Sequence, residues 1–249
     1  MTHVHIGTAG WSVATRYLPL IPAGGSHLER YGRAFSVAEI DSSFYRHHKN
    51  ETYRRWAASV GRNFRFSVKI PRALTHEGRL VGEKNAVLDR FFLEVAGLGR
   101  KLGVLLAQLP PSLEFDRAEV VRFFRRLRRG VPDAASLVCE PRHASWGTEE
   151  VHLLLNKLGV SRAAVDPPRW GADSAPGGHG RLAYFRMHGS PRIYYSDYEA
   201  ARLADLALQL KAAAAASDEV WCIFDNTAHG HGLGNALSLQ QTLAGTSKS

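Results

Sequence analysis

Short runs of β-branched and aromatic residues recur along the chain, and each closes on a polar or charged side chain. Val37-Ala-Glu-Ile-Asp-Ser-Ser-Phe-Tyr45 shows the design most fully. It repeats in Phe64-Arg-Phe-Ser-Val-Lys69, Val104-Leu-Leu-Ala-Gln108, Ser136-Leu-Val-Cys-Glu140 and Tyr184-Phe-Arg-Met-His188. Between these runs, apolar residues fall at three-to-four spacing, the period of a helix with one buried face. Strands are predicted to begin near Val4, Val37, Phe64, Gly103, Ser136, Val160, Leu182 and Val220. Helices are predicted over His27–Arg33, Glu51–Ser59, Glu83–Leu98, Asp116–Arg129, Thr148–Leu158, Asp197–Ala216 and His231–Leu243. For the last two, Ser196-Asp197 reads as a cap and the Gly230–Gly234 turn as a helix entry.

Eight strands alternating with helices, spaced by roughly 20 to 40 residues, predict an α/β fold: a single (β/α)8 barrel of the TIM type. The sixth connection departs from that plan. Its Pro and Gly residues, Pro167-Pro-Arg-Trp-Gly-Ala-Asp-Ser-Ala-Pro-Gly-Gly-His-Gly180, break any helix, so a long irregular loop is expected, of the kind that serves as a lid or binding loop. No compositional break divides the chain, which reads as one domain over 1–249 with a loosely held tail from about 244.

A length of 249 residues suits one such barrel, and no apolar run nears the roughly 20 residues needed to cross a bilayer. Met1-Thr-His-Val-His5 enters a strand at once, leaving no room for a signal peptide, so a cytoplasmic location without membrane attachment is expected. Cys139 and Cys222 sit within strand-like runs, away from the polar ends, and read as packing residues; a nucleophile is the competing role. The net charge of +9 admits a polyanion partner. Its densest cluster, Arg122-Phe-Phe-Arg-Arg-Leu-Arg-Arg129, also reads as an amphipathic helix with a solvated basic side.

In a parallel sheet covered by helices, the active site lies at the carboxyl ends of the strands. Strand alternation sorts the candidates there. If Phe185 and Met187 face helices, Arg186 and His188 face inward; by the same rule Ser67, Lys69, Glu39 and Asp41 face inward, and Glu140 and Gln108 close their strands. For the eighth strand, Asp225 and Asn226 compete for the inward position.

Seven motifs in order then support a resemblance. They are Ile6-Gly-Thr-Ala-Gly-Trp-Ser12, Glu39-Ile-Asp-Ser-Ser-Phe-Tyr45, Phe66-Ser-Val-Lys-Ile-Pro-Arg72 with Thr75-His76, Gln108-Leu-Pro-Pro-Ser112, Glu140-Pro-Arg-His-Ala-Ser-Trp146, Arg186-Met-His-Gly189, and Asp225-Asn-Thr227 with the Gly-His-Gly turn and Asn235-Ala236. In these the chain resembles the DUF72 family of YecE-like proteins over nearly its whole length. The resemblance implies a TIM-type barrel and no particular activity. Two departures stand out: Arg16-Tyr-Leu-Pro19 replaces the family's usual first loop, and Asp225-Asn-Thr227 replaces its commoner Asn-Asn pair.

Three chemistries fit these groups. In the first, Glu39 or Glu140 is a general acid or base, His188 a proton shuttle, and Lys69, Arg142 and Arg186 hold an anion. The competing reading is a self-neutralising ion network. In the second, His188, His76 or His143 joins Glu39, Glu140, Asp166 or Asp225 around a divalent metal. Against it, no HxH or HExxH spacing closes a strand, and the nearby cations would repel the ion, so no cofactor is predicted. The His3-Val-His5 pair falls at the opposite end of its strand. In the third, Gly230-His-Gly-Leu-Gly234 offers backbone amides to a phosphate, or is simply a tight turn with Asn235 starting the helix.

Trp11, Phe44, Tyr45, Trp146 and Trp170 fall in loops after strands, where rings stack on bases or sugars, whereas Trp56 reads as core. Sugars remain an open alternative, but a glycosidase would need two carboxylates roughly 5–9 Å apart, and strands two and five are too far round a barrel to promise that. The site therefore gathers Glu39, Glu140 and His188 as catalytic candidates. Trp11, Asp41, Tyr45, Lys69, Arg72, His76, Gln108, Arg142, His143, Trp146, Arg186, Asp225, Asn226 and Asn235 are the binding candidates. The expected function is acid–base hydrolysis or elimination on a phosphate-bearing ligand, a nucleotide or nucleic acid. The alternative is a non-catalytic nucleic-acid-binding protein using the same face and the basic helix. Nothing in the sequence sets an oligomeric state.

Overall fold

A computed structural model describes residues 3–80, 85–170 and 175–245. Among the described residues are ten strands: β1 (His3–Thr8), β2 (Val37–Ile40), β3 (Arg65–Lys69), β4 (Leu102–Gln108), β5 (Ser136–Glu140), β6 (Val160–Arg162), β7 (Ala164–Asp166), β8 (Gly177–Gly178), β9 (Leu182–Met187) and β10 (Glu219–Phe224). Seven helices separate or follow them: α1 (His27–Ala34), α2 (Asn50–Ala58), α3 (Asn85–Val95), α4 (Arg117–Arg129), α5 (Glu149–Lys157), α6 (Ala200–Ala216) and α7 (His231–Gly245). The fold is mixed α/β, with parallel sheets and helices on their outer faces.

The strands form two sheets, in the orders β1-β10-β9-β7 and β2-β3-β4-β5-β6-β8, and not the single closed ring expected from the repeat. Two seams explain the difference. Between β1 and β2, the buried Tyr31 hydroxyl takes the Thr8 amide proton (2.8 Å) and donates to the Val37 carbonyl (3.0 Å). A phenol thus stands where a direct ladder bond would run. Only the Ala9–Glu39 bridge joins the two strands, with Gly10 N donating to Glu39 O at 2.8 Å. Gly7 is required there, because a Cβ would lie 2.3 Å from the Val37 carbonyl oxygen. The second seam is at Ala163, where one extended segment changes partner. Its first half, β6, pairs with β5, and its second half, β7, pairs with β9.

Strand alternation separates two apolar layers. Val37, Val104, Leu106, Val138, Tyr184, Trp221 and Ile223 pack together on the inner faces. Phe66, Val68, Ile70, Leu137, Cys139, Phe185, Met187 and Cys222 pack outward with the helices. Both cysteines are buried and free, and burial pushes both thiols up, which disfavours a thiolate.

Helix entries follow local capping chemistry. Ser26 and Glu29 form a reciprocal box at α1, Asp116 accepts from Glu119 N at α4, and Thr148 accepts from Val151 N at α5. Helix α6 is a correction: it starts at Ala200, with Glu199 before it and no side-chain cap. Buried Tyr198 draws the preceding turn inward, so Ser196 Oγ accepts instead from Arg192 N and Asp197 from Tyr198 N. Helix α3 ends at Val95 and tightens into a turn over Ala96–Lys101, while residues 83–84 of the expected helix lie outside the described residues. Of the sixth connection, the described parts are irregular except for β8, which pairs antiparallel with β6; residues 171–174 lie outside the description. Helix α7 reaches Gly245, and the rest of the expected tail, residues 246–249, lies outside the described residues. No helix among the described residues is long and apolar enough to cross a membrane.

Candidate functional site

The inward-facing polar residues of five strands meet at the carboxyl ends of the sheets. Arg186, on β9, is their centre and is fully buried. Its guanidinium forks onto Glu39 of β2 (Nη2 to Oε1 2.6 Å, Nε to Oε2 3.1 Å). The same group donates to Glu140 Oε2 of β5 at 2.7 Å and to Asp225 Oδ2, just past β10, at 3.0 Å. One cation thus serves three carboxylates.

Each carboxylate is completed differently. Glu39 also accepts from the Tyr184 hydroxyl at 2.9 Å, which lies 2.8 Å from Ser67 Oγ. Burial raises the Glu39 carboxyl above its usual range and Asp225 and Asp41 add like charge, against the pull of Arg186. Glu140 accepts from Gln108 (2.9 Å) and Arg142 (3.0 Å), with His188 Nε2 3.3 Å away. Burial would raise it too, but Arg186, Arg142 and His188 outweigh burial and hold Glu140 well below the ordinary carboxylate range. Asp225 is held low for a similar reason: Arg186 and His188 overcome its burial. His188 lies between two acids, its Nδ1 3.0 Å from Asp225 and its Nε2 3.3 Å from Glu140. Both ring nitrogens can donate to carboxylates at once only in the imidazolium form.

Above this layer the groups are cationic. Lys69 donates to Asp41 at 2.8 Å and sits 4.2 Å from the Phe44 ring centre. A short helical turn at Ser42–Phe44, closing β2, places that ring. His76 packs edge-on against Phe44, and burial together with Arg142, Lys69 and Arg72 pushes it down to about 4, so it is neutral at physiological pH. Arg142 Nη2 and Arg169 Nε are buried without a hydrogen-bond partner among the described residues. Arg169 is close enough to Arg142, Glu140 and Tyr194 to be influenced by their charges. Arg169 was not singled out by sequence reasoning, because it lies in the Pro/Gly-rich connection where no periodicity assigns direction. Its arginine identity between two prolines and a tryptophan was the available signal.

The structure brings Glu39, Asp41, Lys69, Gln108, Glu140, Arg142, Arg186, His188 and Asp225 into one network. Glu39, Glu140 and His188 have no exposed surface; Asp41 and Arg142 reach solvent, and Lys69 and Asp225 do so slightly. Tyr45 lies open at the rim, and Arg72 pairs there with Glu77. The remaining candidates sit elsewhere. Asn226 turns away from the network and donates to Ser196 O and Asn235 Oδ1, and Asn235 in turn donates to Tyr198 O. His143 accepts from Ser145 N and starts the short turn that buries Trp146, whose indole donates to Leu113 O. Trp11 packs edge-on against Trp56 and Phe66. The Gly230 turn borders a separate cleft of about 440 Å³ with Thr8, Ser12 and Thr227. Among the described residues, no group of three His, Cys, Asp or Glu side chains is arranged to hold a metal ion.

A family model described as "Protein of unknown function DUF72" matches residues 5–249. The chain is 26% identical over 184 residues to the UPF0759 protein YunF of Bacillus subtilis (strain 168), covering 70% of this chain and 64% of that one. It is 27% identical over 168 residues to the UPF0759 protein YecE of Escherichia coli (strain K12), covering 66% and 59%. The matched part therefore spans less than two thirds of either relative. Among solved structures, a DUF72 family protein from Thermotoga maritima MSB8 superposes with a TM-score of 0.80 at 24% identity, over 97% of this chain and 99% of that one. Another from Enterococcus faecalis V583 gives 0.80 at 20% identity, over 97% and 96%. These two share the fold.

Proposed function

Since the chain belongs to the DUF72 family, a family defined without an activity, we propose from its own residues that it binds a phosphate-bearing ligand at the carboxyl ends of the strands and transforms it by acid–base chemistry. The observation that carries this reading is the pair of buried guanidinium nitrogens, Arg142 Nη2 and Arg169 Nε, without a hydrogen-bond acceptor among the described residues, the Tyr194 hydroxyl lying close to both side chains. Buried donors without acceptors are costly, and an anion between them removes that cost. Lys69 adds a third positive charge, and neutral His76 can donate or accept a hydrogen bond without competing for the anion.

The frame behind this reading is a barrel-like arrangement of eight parallel strands. Its support is the Ala9–Glu39 bridge across one seam and the β6–β7 segment that serves both sheets at the other. Asp225 is held ionised by Arg186 and His188, reaches solvent slightly, and has its Oδ2 tied to His188. Its ionised state and slight exposure, not its basicity, make Asp225 the carboxylate that can accept a proton from water or ligand, with His188 bridging it to Glu140. Glu39 sets the position of Arg186 from below.

A thermal-shift screen tests this, using inorganic phosphate, nucleoside monophosphates, sugar phosphates and short oligonucleotides. A shift lost in Arg142→Ala and Arg169→Ala is expected. Asp225→Asn should keep the shift and lose turnover. A shift that survives both arginine changes moves the site elsewhere, and binding without any turnover favours the non-catalytic reading.

A further inference from the structure

The basic helix of the sequence is α4, and the structure divides its arginines into two sets. Arg117 pairs with Glu150 (2.9 Å), Arg122 with Glu119 (2.5 Å) and Arg126 with Asp89. Arg128 turns inward and donates to the Ala135 carbonyl at 2.6 Å. Arg125 and Arg129 remain exposed, with no acidic partner among the described residues. They lie four residues apart on one face, about 6 Å along the axis. Exposed Lys157 of α5 faces them across a groove of about 450 Å³ whose other walls include Leu154, Leu158 and Val121. No carboxylate is among the described residues lining this groove, and Arg117 of its wall is paired with Glu150.

Beyond the groove the charges are mixed: Arg181, exposed just before β9 and tied to the Asp133 carbonyl, acts on Arg128 and Arg65, while the Asp133 carboxylate acts on Arg128 in the opposite sense and Glu219 pairs with Arg65. These residues lie toward the amino ends of the strands, opposite the Arg142–Arg169 site. Arg125 and Arg129 on α4 and Lys157 on α5 therefore line facing walls of the groove, away from the charge-compensated network inside.

We propose that the α4–α5 groove is a docking site for the phosphodiester backbone of a nucleic acid. A linear polyanion fits between unpaired cations on the facing walls of a groove and gains from counterion release at each contact. A membrane surface fits poorly, because it calls for protruding cations beside exposed apolar anchors; here Leu154 is buried and Leu158 half-buried. Contacts to phosphate oxygens carry no sequence information directly, so the docking is expected to be sequence-independent.

The test measures the salt dependence of binding to short single-stranded and duplex oligonucleotides by fluorescence anisotropy. The variant Arg125→Gln/Arg129→Gln/Lys157→Gln changes exposed side chains only, and its thermal melt should match wild type. Losing three phosphate contacts should lower the log–log salt slope by about 2 for single strands. The triple variant should keep the wild-type thermal shift with inorganic phosphate, which separates this surface from the Arg142–Arg169 site at the other end. An unchanged slope in the triple variant overturns the proposal. So does absence of oligonucleotide binding at low salt, or binding of phosphatidylserine vesicles without oligonucleotide binding.

Discussion

Replacing Arg186 with methionine removes the one cation that serves Glu39, Glu140 and Asp225 and keeps most of the side-chain volume. The four donor contacts of 2.6 to 3.1 Å are lost together. Breaking a buried ion pair from one side costs about 3–5 kcal/mol, because the remaining charge is stranded in a low-dielectric interior. At about 2–4 °C per kcal/mol for a chain of this size, the melting temperature should fall by roughly 6–20 °C.

The pH dependence gives the sharper test. In the native protein, Glu140 and Asp225 are held below their ordinary range, so their stabilisation is present above the unfolded value near 4 and is lost as pH falls through the folded values. Without Arg186, burial dominates and drives both upward, so the variant is penalised most where they must stay ionised. The deficit should therefore be largest at neutral and alkaline pH and should shrink as pH approaches about 4. Urea unfolding at several pH values measures this directly. Adding Glu39→Gln to Arg186→Met should recover part of the loss, because one stranded charge is removed. A deficit that is constant with pH, or a loss under about 1 kcal/mol, would refute the account of Arg186 as the shared counter-ion.

Two further outcomes follow from the seams and the amino-end face. Tyr31→Phe deletes the hydroxyl between Thr8 N and Val37 O, leaving two buried backbone groups unpaired, and should cost about 1–3 kcal/mol in urea unfolding; a neutral result would mean that β1 and β2 close directly. His5, pushed down to about 4 by burial and by Arg65, is neutral when folded but takes a proton near 6.5 when unfolded. Stability should therefore decline as pH falls from about 6.5 to about 4, and His5→Gln should flatten that part of the profile.

Periodicity and alternation were legible in the sequence because both follow from local geometry. A helix repeats its buried face every three to four residues, and this placed α1, α2, α4 and α5 within a residue of their observed bounds. A strand alternates faces, and this alternation alone turns Glu39, Ser67, Lys69, Arg186 and His188 inward, as their contacts show. Residues whose direction depends on a distant partner were not legible. Asp225 and Asn226 are adjacent and chemically alike, and only Arg186, 39 residues away, decides which of them enters the network. The phenol of Tyr31 splits the sheet at a point where its own helix shows only an aromatic on the buried face. Trp146 and Trp11 read as loop aromatics, yet packing against Leu113, Trp56 and Phe66 decides what surface they keep. Arg169 lies in a segment without period, so its place beside Arg142 exists only in three dimensions. The chain by itself determined the elements and the inward or outward sense of each strand, since those arise within a few residues. Tertiary structure decided which charges share Arg186, where the sheets part and which cations stay unpaired, because those depend on long-range distances that no local pattern encodes.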